Sequence, residues 1–515
     1  MYAVQNEDPK HRVSSVKPSE ELSIAVTFRR PSDGVGPTKV PARLSMAAAR
    51  SFTPDPVDMD KGIYELHRRG FTLTRRGRLT ASMRGTREQF ERVFGTTLKT
   101  FRAPQPQIAG ARAFYFPPPD APWNPDPALM SMIDDAYIQW PHIYMTRKKA
   151  ARPRRVKRGP AGSPSATAPM VDYFHLEVPA DVPSLLGVAQ VHQKGTTGKA
   201  VRIAMIDSGF DHSHAYFVKH GNRSTVDLAP RVTSKSTDGN GHGTGESANI
   251  FAVAPGATFI GIKVDNDDPN EPGASILEGF QQALTHNPQV ISVSLGYDLA
   301  ESNPLTGQRV SDRHLTRLPN NLVALEAEIQ AAVAAGIVVV FSAGNGHVSF
   351  PGMMPDVISA GGVFVDKSGA LRASDYASAF QSRIYSGRSV PDFCGLVGLL
   401  PHADYIMLPI PPGCAIDKEN AVHDGTGVGD GWAVFSGTSA AAPQLAGVCA
   451  LLLEKNPGLT PTDIKSVLRR TSRDVNVGHA NPASNGGDPP LEAGAGDDGA
   501  TGAGLVDAMA AWRQV

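Results

Sequence analysis

Short, continuous apolar runs alternate with helix-period segments over the last two thirds of the chain. The apolar runs are rich in β-branched residues and lie at residues 201–206, 258–264, 290–295 and 337–343. Continuous apolarity predicts strands that are buried on both faces, as in a parallel sheet. Residues 321–336, 439–456 and 461–472 instead repeat apolar positions with the period of a helix. The alternation predicts an α/β domain over residues 171–515, with a parallel β-sheet flanked by helices.

The first part of the chain has a different pattern, which predicts a small α+β unit over residues 19–145. Residues 21–30 indicate a strand, residues 61–70 and 86–95 short amphipathic helices, and residues 71–85 a pair of strands. Residues 1–18 are polar and are predicted to be a disordered N-terminus. Residues 146–170 combine basic side chains with Pro, Gly and Ser, a composition that cannot build a core. We interpret them as a basic flexible linker.

Charge divides the chain, although its 515 residues include 50 basic and 50 acidic side chains. Residues 1–165 hold 28 Lys and Arg against 15 Asp and Glu, a net charge of +13, so the remainder carries −13. Opposite charges predict that the two parts attract each other. The alternative is a basic part that binds nucleic acid or an anionic surface, but no nucleic-acid-binding motif accompanies the charge. We therefore expect no nucleic-acid partner.

The sequence also bears on compartment and redox state. No run of 18 apolar residues occurs, so we expect no membrane-spanning helix. The first 30 residues lack the apolar segment of a secretory signal, which predicts a cytoplasmic protein or one exported by another route. Three cysteines are too few for a disulfide scaffold. Cys394 and Cys414 could form one bridge, but we expect that these two and Cys449 are buried or free thiols.

Four short polar segments stand at the ends of predicted elements, where the ligands and catalytic groups of parallel sheets gather. They are Asp207-Ser208-Gly209, Gly241-His242-Gly243-Thr244, Ser342-Ala343-Gly344-Asn345-Gly346 and Ser436-Gly437-Thr438-Ser439. Hydrolysis by a serine needs a base, an acid that orients the base, and donors for the oxyanion. His242, Asp207 and Asn345 are candidates for these functions. Ser439 is the candidate nucleophile, and its own N–H at a helix start is a second donor.

Each of these residues also has a structural explanation when it is taken alone. Asp207 and Ser439 are residue types that cap helices, and a histidine is often a satisfied core residue. The four segments occur together, in one order and each on a suitable element, and this combination favours a catalytic role over separate structural roles.

The four segments, in the order Asp, His, Ser, resemble the subtilisin-like serine proteases, or subtilases. The resemblance covers about residues 185–515 and includes residues 252–257 and 502–508. It implies a subtilisin-like fold, with Ser439 as nucleophile, His242 as general base, Asp207 as orienting acid and Asn345 as oxyanion donor. It also implies that Ser294, Leu295 and Gly296 pair with an extended substrate backbone.

The sequence departs from the family pattern just after the histidine. Glu246 lies one helical turn beyond His242, on the same face of the predicted helix. A structural role, tuning of the base, and simple exposure to solvent are the three alternatives for this side chain.

Part of the N-terminal unit resembles the activation domain of sedolisin (kumamolisin-type) precursors. The resemblance rests on Gly70-Phe71-Thr72-Leu73 and on residues 85–96 with Leu98. Sedolisins replace the histidine by a carboxylate, whereas this chain keeps Gly-His-Gly-Thr. We therefore interpret the chain as a subtilase domain behind a sedolisin-like propeptide at residues 19–145. The resemblance implies a propeptide that assists folding and covers the active cleft.

The predicted function is that of a serine endopeptidase made as a zymogen, which hydrolyses peptide or protein substrates through an acyl-enzyme. The propeptide is the expected intramolecular inhibitor. The linker, with residues 152–158, is a candidate processing region or a plain tether. The alternatives are a peptide ligase or macrocyclase that uses the same acyl-enzyme, and a catalytically inactive binding protein on a protease fold.

Cofactors are not required for this chemistry. A structural Ca²⁺ ion is a candidate, because residues 265–271 and the pair Asp497 and Asp498 offer oxygen ligands. Neither segment has the spacing of an EF-hand, and a plain acidic turn is the alternative.

Overall fold

The structure is a computed structural model, and it describes residues 21–29, 54–105, 108–117, 121–144, 150, 165–268, 271–302 and 309–515. The predicted disordered N-terminus and most of the predicted linker, with residues 152–158, lie outside the described residues. Among the helices that are described, none is long and apolar enough to cross a membrane.

A sheet of eight strands forms the centre of the larger part of the molecule. From one edge its order is Leu371–Ala373, Ile358–Val365, Val338–Ser342, Val290–Val293, Arg202–Asp207, Thr258–Lys263 and Ser224–Leu228, and Phe393–Leu396 also pairs with Ile358–Val365. The pairings are parallel except for the edge strand Leu371–Ala373. The four apolar runs of the sequence are the four adjacent central strands, which confirms the predicted parallel sheet.

Both faces of this sheet are covered, and this explains the continuous apolarity of its strands. Ile203 and Met205 of one strand enter the core on one face, whereas Ala204 and Ile206 enter the core on the other. Alternate side chains of a strand point to opposite faces, so a strand covered on both sides is apolar at most of its positions.

The helices that the sequence predicted are present. Residues 321–336, 439–456 and 461–472 correspond to Asn320–Ala334, Thr438–Lys455 and Pro461–Thr471. The other helices of this part are Asp181–Leu185, Val188–His192, Ala215–Lys219, His242–Val253, Ile276–Leu284, Ala415–Asn420 and Ala508–Arg513, with a 3₁₀ turn at Pro482–Asn485. The three cysteines are buried free thiols, as predicted.

Smaller sheets lie around the central one. One of them is a three-stranded sheet of Leu176–Glu177, Ile406–Pro409 and Trp432–Phe435. The two-stranded sheets are Tyr297–Asp298 with Ser349–Phe350, Ala300–Ser302 with Arg309–His314, and Phe380–Gln381 with Ser389–Val390.

The N-terminal unit is an antiparallel sheet with helices and a core of its own. The sheet order is Thr72–Arg76, Thr80–Thr86, Glu21–Phe28 and Ile133–Ile138, the helices are Pro56–Arg68, Arg87–Phe94 and Pro127–Met130, and Lys99–Gln105 pairs with Ile108–Phe116. The first helix begins five residues before the predicted 61–70, because Asp55 accepts a hydrogen bond from the N–H of Val57 and Pro56 is the first helical residue.

Candidate active site

The strand Arg202–Asp207 ends beside the first turn of the helix His242–Val253, which we call the His helix. The His242 Nδ1 atom lies 2.7 Å from Asp207 Oδ1, and the N–H of Ser208 donates to the same oxygen at 2.7 Å. Gly243 allows this approach, since a Cβ there would lie 2.3 Å from the carbonyl oxygen of Gly209. The pair predicted from sequence is therefore in direct contact, and Asp207 is fully buried.

The surroundings of His242 favour its charged form. Burial by itself lowers the pKa of His242, but the charge and hydrogen bond of Asp207 raise it. The carboxylates of Glu246 and Asp238 add to this, and the pKa of His242 rises to about 9. An imidazole that can form a stable imidazolium is what a general base of this kind needs.

Asp238 is a buried carboxylate that the sequence reasoning missed. Its Oδ1 accepts hydrogen bonds from the hydroxyl of Ser208 and the N–H of Gly241, both at 2.9 Å. Its Oδ2 accepts from the N–H and hydroxyl of Thr244 at 2.9 and 2.8 Å. Asp238 thereby ties the Asp207 loop to the start of the His helix. Its only signal in the sequence was an aspartate four residues before His242.

Glu246 is fully buried, which excludes exposure to solvent as its explanation. The Nδ2 of Asn249 donates to Glu246 Oε2 at 2.9 Å. The Nε2 of Gln444 donates in turn to Asn249 Oδ1 at 3.2 Å. Gln444 belongs to the helix Thr438–Lys455, which we call the Ser helix, so a polar network joins the two helices.

Ser439 lies in the first turn of the Ser helix, where backbone N–H groups have no acceptor within the helix. Asn345 is beside this turn, and its Oδ1 accepts from the N–H of Thr438 at 2.9 Å. Because its oxygen accepts from Thr438, the NH₂ group is the end of the Asn345 amide that can donate a hydrogen bond. Gly437 has a φ of 115°, and a Cβ there would lie 2.9 Å from Asn345 Nδ2, so a larger residue would displace the amide.

The segment Ser294, Leu295 and Gly296 runs next to the serine. The hydroxyl of Ser294 donates to the carbonyl oxygen of Ser439 at 2.9 Å, and Leu295 is fully buried. Gly296 forms an antiparallel bridge with Ile143 of the N-terminal unit, in which the Ile143 N–H donates to Gly296 O at 3.0 Å. The following residue, Tyr144, has its ring centroid 5.1 Å from that of His242. An extended peptide therefore occupies this groove.

The acidic side chains that the sequence suggested as calcium ligands contact other groups of the same chain. Among the residues that the structure describes, no group of three or more His, Cys, Asp and Glu side chains is arranged to hold a metal ion. Asp265 contacts Tyr144, Asp267 pairs with Lys263 at 2.8 Å, and Asp497 pairs with Arg469. The four hydrogen bonds to the Asp498 carboxylate come from Gly494, Ala500 and Thr501. A structural calcium ion stays a prediction, and residues 269–270 of the first segment lie outside the described residues.

A parallel α/β sheet that brings an Asp–His pair to the same edge as a serine at a helix start is the arrangement of a serine hydrolase. The profile of the Subtilase family matches residues 198–496 of the chain. The chain belongs to this family of serine proteases.

Individual relatives agree with this assignment. The chain is 27% identical to Subtilisin E of Bacillus subtilis over 330 residues, which are 60% of this chain and 71% of that protein. It is 30% identical to Serine protease AprX of Bacillus subtilis over 306 residues, 53% of this chain and 61% of that protein.

A solved structure is similar in fold. It is fervidolysin from Fervidobacterium pennivorans, described as a keratinolytic enzyme related to subtilisin, with 18% identity and a TM-score of 0.54. The match covers 97% of this chain and 62% of the fervidolysin chain. This likeness supports the subtilisin-like fold that the sequence predicted.

Proposed function

We propose that the protein is a serine endopeptidase made as a zymogen. The observation that carries the proposal is the contact of His242 with Asp207 at the edge of the sheet where Asn345 meets the start of the Ser helix, which carries Ser439. A serine hydroxyl is a weak nucleophile until a base removes its proton, and this arrangement supplies the base, its orienting acid and the oxyanion donors.

The steps follow from these contacts. The Ser439 hydroxyl attacks the substrate carbonyl while the Nε2 of His242 takes its proton. The negative oxygen of the tetrahedral intermediate accepts hydrogen bonds from the Asn345 amide and the Ser439 N–H, with the positive end of the Ser helix adding to them. His242 then protonates the leaving amine, and an acyl-enzyme forms. Water activated by His242 hydrolyses the acyl-enzyme and regenerates the serine.

A fluorophosphonate probe tests this proposal against its alternatives. We expect covalent labelling of Ser439 in the full chain after processing, detected by peptide mass spectrometry. A correctly folded chain that takes no label would be an inactive binding protein. The masses of peptide products then separate hydrolysis, in which water is added, from transpeptidation, in which an amine captures the acyl group.

The N-terminal unit is proposed to act as the intramolecular inhibitor. The bridge between Ile143 and Gly296 and the contact of Tyr144 with His242 support this role, since a substrate backbone would need the same groove. The resemblance of this unit to a sedolisin-type propeptide stays a prediction.

A buried carboxylate holds the inhibitory unit on the protease part. Glu328, on the helix Asn320–Ala334, accepts hydrogen bonds from the N–H groups of Arg78, Leu79 and Thr80 at 3.0, 2.8 and 2.7 Å. It also accepts from the Thr80 hydroxyl at 2.8 Å. Every one of these partners is a donor, so the site suits a carboxylate.

Side chains of the neighbouring helix Ile276–Leu284 accept hydrogen bonds from hydroxyl groups of the N-terminal unit. The Ser82 hydroxyl donates to Gln281 Oε1 at 2.7 Å, and the Thr74 hydroxyl donates to Glu278 Oε1 at 2.9 Å. An ion pair between the two parts, Arg231 with Glu21 at 4.0 Å, has the opposite polarity to the net charges. The contact of His142 with Asp265 at 3.3 Å has the same polarity as the net charges, so docking is expected to combine carboxylate-to-amide bonds with the predicted attraction of opposite charges.

Glu328→Gln is expected to weaken inhibition by the N-terminal unit about tenfold. The change places an NH₂ group against buried donors, and an unmatched buried donor costs about 1–3 kcal/mol. The measurement is the interval between processing of the full chain, followed on gels, and the appearance of peptidase activity. The interval should shorten, whereas Glu271→Gln, a charge-matched control outside these contacts, should leave it unchanged. An unaltered interval for Glu328→Gln would argue against this anchoring role.

Glu246→Gln is expected to move the acid limb of the kcat/KM profile to lower pH. The amide keeps the side-chain volume and can still accept from Asn249, but it removes a charge that raises the pKa of His242. A general base works when deprotonated, so a lower pKa of His242 makes the enzyme active at lower pH. Peptide hydrolysis across the neutral and alkaline range measures this. Glu326→Gln, whose carboxylate bonds Tyr385, is the control. An unmoved limb would leave Glu246 a purely structural role.

A further inference from the structure

Asp265 lies where residues 142–144 of the N-terminal unit, which we call the inhibitory segment, meet His242. Its Oδ2 accepts a hydrogen bond from the hydroxyl of Tyr144 at 2.5 Å. Its Oδ1 lies 3.3 Å from the Nε2 of His142. Asp265 is 5% exposed, so this carboxylate meets the segment in a largely water-excluded position.

The geometry of the segment explains why two of its side chains reach one carboxylate. Ile143 pairs by its backbone with Gly296, so the chain is extended there. In an extended chain, residues two apart point to the same side. His142 and Tyr144 are two apart, and their rings are 5.7 Å from each other in an edge-to-face arrangement.

The backbone contact with Gly296 does not depend on the side chain of the residue that makes it. Recognition of one peptide sequence over another must therefore come from side-chain contacts, such as those of the residues that flank Ile143. The Tyr144 ring packs against the flat ring of His242, and its hydroxyl donates to the Asp265 carboxylate.

We propose that Asp265 is a specificity residue of the protease, which selects peptides with hydrogen-bond-donating side chains at the positions of His142 and Tyr144. The inference rests on the proposed endopeptidase function and names its substrate class. The preferred occupant of the Tyr144 position has an aromatic body and a donor at its end. An acidic residue there is disfavoured, because it would place a second carboxylate against Asp265.

Competition between peptides tests the proposal in the processed full chain. Quenched fluorescent peptides carry the sequence of residues 139–148, with Tyr144 kept or replaced by Phe, and the two are cleaved in one mixture. Their relative kcat/KM does not depend on the fraction of active enzyme. We expect the tyrosine peptide to be favoured about tenfold or more, since the phenylalanine peptide leaves a buried carboxylate without its donor. A second pair, with His142 kept or replaced by Leu, should show a smaller preference of the same sign.

Two variants connect this preference to Asp265. Asp265→Leu should remove the preference for tyrosine while the phenylalanine peptide is still cleaved, and that remaining cleavage reports correct folding. Asp265→Asn, of the same shape, should give an intermediate preference. Asp268→Leu, at an exposed neighbouring aspartate, is the matched control and should keep the full preference.

The outcomes separate the two proposals. Cleavage of both peptides at equal rates by the unchanged enzyme overturns the role of Asp265 and leaves the protease function standing. A tyrosine preference that survives in Asp265→Leu overturns it as well. If neither peptide is cleaved although Ser439 is intact, the proposed endopeptidase function fails, and the specificity with it.

Discussion

Ser439→Ala is expected to lower kcat/KM for peptide hydrolysis about 10⁶-fold, an order of magnitude taken from the removal of a triad serine in subtilisin. The change removes the only atom in the proposed mechanism that forms the acyl-enzyme. It leaves the backbone N–H, the Asn345 amide and the helix start in place. In Ser439→Ala protein freed of its N-terminal unit by an added protease, binding of a peptide should therefore persist while turnover is lost, because the groove along Gly296 is unaltered.

The same variant decides whether the chain processes itself. Purified full-length protein is followed on gels, and new N-termini are sequenced. The unchanged chain should be cut after Tyr144, because Ile143 pairs with Gly296 in the groove and the Tyr144 ring lies against that of His242. Ser439→Ala should stay intact, with a circular dichroism spectrum like that of the unchanged chain. Equal processing of both proteins would mean that another protease makes the cut.

The main sheet could be predicted from sequence because burial on both faces leaves a distinct local signal. The runs at 201–206 and 290–295 need no partner to be recognised, since nearly every position in them is apolar. Their order in the sheet carries no such signal. The strands Ile358–Val365 and Phe393–Leu396 were not predicted, and the first contains two glycines that weaken its strand pattern.

The catalytic candidates could be predicted because their residue types occur in short motifs at element ends. The residues that support them could not, since their partners are distant in the chain. Asp238 acts through Ser208, 30 residues away, and Glu328 meets Thr80, 248 residues away. For Asp265 the sequence indicated only an acidic turn or a calcium ligand, and its contact with Tyr144 joins positions 121 residues apart. Such contacts depend on the three-dimensional packing of loops and helices, which a single sequence does not encode locally.

Asp207→Asn is expected to lower kcat about 10⁴-fold while leaving the fold and peptide binding largely intact. Asp207 Oδ1 accepts both from Ser208 and from the Nδ1 of His242, which fixes the proton of the neutral imidazole on Nδ1. An asparagine whose NH₂ group takes the place of Oδ1 gives up the hydrogen bond from Ser208 and donates to His242. The imidazole would then accept at Nδ1 and carry its proton on Nε2, where it cannot take one from Ser439.

A second consequence separates this mechanism from a general loss of structure. Asp207 is the main cause that raises the pKa of His242, so the variant should also have a lower pKa at this histidine. The residual activity should therefore reach its plateau at lower pH than in the unchanged enzyme, because deprotonation of the base is complete earlier. Glu246→Gln is the matched comparison, since it removes a nearby charge without touching Nδ1: it should share the shift of the acid limb and keep most of the rate. If Asp207→Asn lost the rate with no shift of the limb, orientation alone, without electrostatic stabilisation of the imidazolium, would account for the role of this carboxylate.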